Sequence, residues 1–142
     1  MRRLRRTPKV KNEKITISLT PTEVGQIDYL VERGLYTNRS DYIRHALRKQ
    51  SESHSGDISK FLAPEMPETQ HLRYFGGLGI LRLTKPYVES LTAFGAKVHI
   101  SVVGALAVDK TITRDELAQV LGACKVYGKV FAEEDVKALL RE

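Results

Sequence analysis

The side chains in this sequence that could hold a transition metal, or act as nucleophile and base, are His45, His54, His71, His99 and Cys124. They are scattered, and Cys124 has no partner near it in sequence. A metal site needs clustered His and Cys ligands, so no metal or other cofactor is expected. Gly76-Gly77-Leu78-Gly79 lacks the Lys-Ser/Thr and the helix start that make a glycine-rich loop bind phosphate. A tight turn or close backbone approach explains those glycines better. The order of residues supports no Ser-His-acid or Cys-His arrangement, so catalysis is not expected. A lone cysteine also excludes an internal disulfide and suits a reducing, cytoplasmic setting.

Charge is the stronger signal. The formal net charge is +6. Residues 1–50 hold 12 Lys/Arg against 5 Asp/Glu, whereas residues 51–142 hold 11 against 12. The basic excess therefore belongs to the first third, which points that third toward a polyanion. Residues 98–108 form the longest apolar run, and His99, Ser101 and Gly104 interrupt it. That is well short of the ~20 apolar residues of a membrane helix, and no membrane partner is expected. The Arg-rich start has no apolar stretch behind it, unlike a secretory signal.

Four segments can position these groups. Residues 1–13 are a basic arm with Arg2, Arg3, Arg5, Arg6, Lys9 and Lys11, interrupted by Pro8. Residues 14–50 read as one strand and two helices. Lys14, Thr16 and Ser18 alternate with Ile15, Ile17 and Leu19, the period of a strand with one apolar face. Thr20-Pro21-Thr22-Glu23 then supplies a cap, a first-turn proline and a capping box. Val24, Ile27, Leu30 and Val31 make the helical stripe, which Gly34 ends. Asn38-Arg39-Ser40-Asp41 starts a second helix whose inward face is Ile43, Ala46 and Leu47. Residues 51–71, with Ser51, Ser53, Ser55, Ser59, Pro64 and Pro67, have linker composition. A strand and two short helices in some 40 residues cannot bury their apolar faces alone, and a lone strand leaves an unpaired edge. Antiparallel pairing of two chains across a two-fold axis meets both demands, so a homodimer is expected.

Residues 72–142 read as a second, small α/β domain. Three segments each combine a glycine-containing strand, a turn and an apolar helix; Gly104 and Gly128 lie 24 positions apart, in the range of solenoid repeats. Short stacked strand-helix repeats are the expected form, and oligomerisation or sensing the expected role.

From the alternating strand through Gly34-Leu35-Tyr36-Thr37-Asn38-Arg39-Ser40-Asp41, residues 14–50 resemble a ribbon-helix-helix domain of the MetJ/Arc/CopG class. The resemblance implies a β-α-α fold, an intertwined dimer and double-stranded DNA as partner. It implies a two-stranded ribbon in the major groove, with Lys14, Thr16 and Ser18 at the base edges. A solvated strand face is the plainer use of the same three residues. The resemblance further implies phosphate contact at Asn38, Arg39 and Ser40, where the N–H groups of a helix start attract an anion; ordinary N-capping can coexist with that role. The arm would add attraction to the DNA backbone, with minor-groove reading the alternative. Some relatives of this class sense nickel through a C-terminal domain, but the scattered histidines here do not support it. The expected function is a sequence-specific transcriptional repressor or autoregulator, dimeric or assembled further into tetramers through residues 72–142. The alternatives are an antitoxin with a toxin partner and a DNA segregation protein. Toxin-binding tails tend to be short and to fold on binding, unlike the apolar, glycine-punctuated residues 72–142.

Overall fold

The computed structural model describes residues 10–64 and 66–142. The chain divides into two compact units, Met1–Gly56 and Asp57–Glu142. Among the described residues no helix is long and apolar enough to cross a membrane.

In the first unit, the strand expected at residues 14–20 is not formed: residues 10–20 pair with no strand among the described residues, and a strand without a ladder partner has nowhere to place its backbone hydrogen bonds. Helix α1 (Pro21–Glu32) begins with the complete capping box: the Thr20 N–H donates to Glu23 Oε2 at 2.7 Å and the Glu23 N–H to Thr20 Oγ1 at 3.2 Å. Its end is a left-handed glycine closure. Gly34 has φ +80°, and the Leu35 N–H reaches back to the Leu30 carbonyl at 3.1 Å. Helix α2 (Arg39–Ser53) is capped by Asn38, whose side chain accepts from the Asp41 N–H at 2.9 Å. After His54 comes α3 (Ser55–Leu62). The first half of the expected linker is therefore helical. Serine lowers helix propensity by only tenths of a kcal/mol, while Ile58, Phe61 and Leu62 gain partial burial on one side of α3.

The second unit continues as β1 (Leu72–Leu83), α4 (Lys85–Ala93), β2 (Lys97–Val108), α5 (Arg114–Val120), β3 (Leu121–Phe131) and α6 (Glu134–Arg141). The three strands form one parallel sheet in the order β1-β2-β3. Parallel neighbours need a crossover, and a short helix supplies each one here. Val98, Ile100, Val102, Leu106 and Val108 point from β2 into a core that also holds Val88 and Leu91 of α4, Leu117 and Val120 of α5, and Val136 and Leu140 of α6. One sheet face is thus covered by helices.

The register explains the glycine repeat. Gly79, Gly104 and Gly128 are aligned on neighbouring strands, with φ of +120°, +134° and +125°. A Cβ on Gly104 would run into the Gly79 carbonyl, and one on Gly128 into the Gly104 carbonyl. Only glycine permits both the backbone angle and the approach. A second tie joins α4 to α5: Lys85 Nζ lies 2.6 Å from both carboxylate oxygens of Glu116. The same carboxylate accepts from the Thr113 N–H at 3.0 Å, closing the α5 capping box.

Candidate nucleic-acid interface

As an extended strand, residues 14–20 would carry Lys14, Thr16 and Ser18 on one side and Ile15, Ile17 and Leu19 on the other. All six are exposed, including the apolar set at 82%, 55% and 39%. The helices behind this segment do not cover them. Ile27 is the single buried hydrophobic residue among the described residues of the first unit, while Val24, Leu30, Val31 and Ile43 are half-buried. Ala46 and Leu47, expected to face inward, are exposed, Leu47 by 62%. A single chain of this unit thus leaves most of its apolar surface in water.

Asn38, Arg39 and Ser40 meet at the start of α2, all exposed. The Asn38 side chain is occupied by its cap. Arg39 does more than offer a charge. Its Nε donates to Asp28 Oδ1 at 2.7 Å and its Nη2 to Oδ2 at 2.8 Å, a two-point link from α2 back to α1. This hydrogen bond holds the Asp28 carboxyl below its ordinary range and raises Arg39. Asp41 sits in the first turn of α2 and takes the Thr37 N–H at 3.0 Å, which lowers its carboxyl in turn. Sequence reasoning missed the Asp28–Arg39 link because the partners are 11 positions apart and meet only through the turn between the helices.

Around that turn, Tyr36 packs edge-on against Tyr42 and His45, with ring centroids 5.0 and 5.4 Å away. The first unit also carries Arg44, Arg48 and Lys49 exposed along α2. Of the basic arm, Lys11 is described and exposed; Arg2, Arg3, Arg5, Arg6 and Lys9 lie outside the described residues.

Residues 10–137 match the Ribbon-Helix-Helix transcriptional regulator family. The chain belongs to that family. It is a DNA-binding transcriptional regulator. The match extends beyond residues 14–50 through the parallel sheet, so the second unit is part of what the family shares. An uncharacterized transcriptional regulator of Methanocaldococcus jannaschii is 31% identical over 133 residues, covering 85% of this chain and 97% of its own length. The transcriptional regulator CdrS of Halobacterium salinarum is 33% identical over 43 residues, 30% of this chain and 78% of its own. No solved structure matches. Among the described residues of this ribbon-helix-helix regulator, no three His, Cys, Asp or Glu side chains are grouped to hold a metal ion.

Proposed function

We propose that two chains pair residues 14–20 as an antiparallel ribbon, and that the regulator inserts this ribbon into the major groove as a sequence-specific repressor or autoregulator. The exposure of Ile15, Ile17 and Leu19 in a single chain carries the reading. Apolar side chains repeated every second residue favour a covered face, and a partner strand with four helices behind the ribbon would cover this one. Lys14, Thr16 and Ser18 then face the bases, where Lys can donate to guanine and the hydroxyls can donate or accept.

The start of α2 supplies the phosphate contacts in this reading, through its free N–H groups and the side chains of Asn38, Arg39 and Ser40. The arm, residues 1–13, adds backbone attraction that weakens with salt. Residues 51–71 connect the DNA-binding domain, residues 14–50, to residues 72–142. β1 and β3 each pair on one side only, and joining such edges between dimers would link two ribbons on neighbouring half-sites. A packed parallel sheet at residues 72–131 favours this role over that of an antitoxin tail that folds on its toxin.

The test is Ile17→Lys in the full chain, read by light scattering and by binding to a DNA site selected from random sequence. Wild type should be dimeric or larger. The variant should lose assembly through the ribbon, and specific binding with it. A variant that assembles and binds as wild type does would refute the paired ribbon.

A further inference from the structure

The sheet face opposite the helix-covered core is partly roofed at one end. There the second half of α3, with Ala63, Pro64 and Met66, lies over the strands, with the Phe61 ring edge-on to Tyr127 at 5.1 Å. Between roof and sheet is a cleft of about 430 Å³, within the size range of small-molecule sites.

Its lining has two characters. Phe61, Leu62, Met66, Leu72 and Ala123 supply its apolar part. Cys124, aligned with Ile100 of β2, turns instead to the helix-covered core, where burial pushes its thiol up to about 11. The polar groups on the cleft are Lys60, Lys125, His99, Ser101 and Tyr74, and no carboxylate lines it among the described residues. Lys60 has only an exposed, 4.0 Å approach to Asp57 on its own helix, and Lys125 lies over the Tyr127 ring at 5.0 Å. Neither charge is strongly neutralised. The hydroxyls of Ser101 and Tyr74 make no hydrogen bond to the described residues.

The sequence keeps this space open. The His99 ring packs edge-on to Tyr74, with centroids 5.7 Å apart, and it fits because residue 122 is glycine. A Cβ there would lie 2.6 Å from the His99 Cδ2 atom. Cations beside hydroxyl donors over an apolar floor select an anion with an apolar body. The anion gains charge-assisted hydrogen bonds while the body displaces water from the floor.

We propose that this cleft binds a small organic anion, a carboxylate or sulfonate carried on an aromatic or branched apolar body. Along the sequence, α3 begins two positions after α2 ends. The proposal does not depend on how the ribbon reads DNA, and its test uses none.

The probe is the aromatic sulfonate 1-anilinonaphthalene-8-sulfonate, titrated by fluorescence into the full-length protein. Binding should be saturable at one dye per chain, the stoichiometry of a single cleft. Lys125→Glu and Ala123→Leu should each weaken dye binding about tenfold or more, the worth of one charge-assisted contact or of lost space. Leu78→Gln, on the sheet but outside the cleft, should bind the dye as wild type does. The proposal fails if both cleft variants bind as tightly as wild type, or if Leu78→Gln alone abolishes binding.

Discussion

Arg39 and Asp28 join α1 and α2 of the first unit through a two-point ion pair, 2.7 Å from Nε to one carboxylate oxygen and 2.8 Å from Nη2 to the other. Arg39 is also one of the residues proposed to contact DNA phosphate. The two roles are separable, because the helix pair uses the Asp28 carboxylate whereas a phosphate contact would use only the cation. Arg39→Ala should weaken binding to selected and random DNA alike and reduce the salt slope by about 0.9 if one phosphate contact is lost. Asp28→Asn keeps the guanidinium, so it should lower unfolding stability while leaving DNA affinity at or above the wild-type value at low salt. Equal losses of DNA affinity in both variants would show that Arg39 acts only through the helix pair.

Glu116 predicts a pH dependence of the second unit. Its carboxyl is lowered first by the hydrogen bond from Lys85 and next by the Thr113 backbone. A group whose folded pKa is depressed contributes stability that is complete above its unfolded value. That contribution is lost as pH falls through the folded value. Glu116→Gln should therefore be less stable than wild type at pH 7, and the difference should shrink below pH 4. Urea unfolding at pH 7 and pH 3, followed by circular dichroism, checks the sign. A gap that widens in acid would contradict it.

The aligned glycines predict that Gly104→Ala is severe. The new Cβ meets the Gly79 carbonyl, and the residue must hold φ +134°. We expect a loss of about 3 kcal/mol or more, from backbone strain together with displaced strands. Gly25→Ala, in α1 with nothing within 4 Å of the added atom, should be neutral or slightly stabilising. Thermal unfolding of the two variants side by side tests the contrast.

Much of this was legible where the signal is local. Thr20 with Glu23 and Thr113 with Glu116 are capping boxes within four residues, and both form as read. Gly104 and Gly128 proved to be direct neighbours across two strands because their spacing is the length of one strand-helix turn. What depends on distant atoms was not legible. β3 starts at Leu121, directly after α5, with no turn residues between helix and strand to mark the boundary. The Ser-rich stretch looked like linker, yet α3 forms there, and Phe61 meets an aromatic ring 66 positions away. The strand period of residues 14–20 was plain in the sequence, yet these residues form no strand, since none of the described residues pairs with them.

The most direct measurement compares Thr16→Ala and Ser18→Ala with wild type on a DNA site selected from random fragments, and on unselected DNA. Both side chains are exposed and alternate with the apolar residues, so neither change should alter stability or assembly. Each variant should lose about 1–3 kcal/mol on the selected site, the worth of a base contact, with affinity for unselected DNA nearly unchanged. If both variants bind the selected site as tightly as wild type, the ribbon is not what reads the sequence.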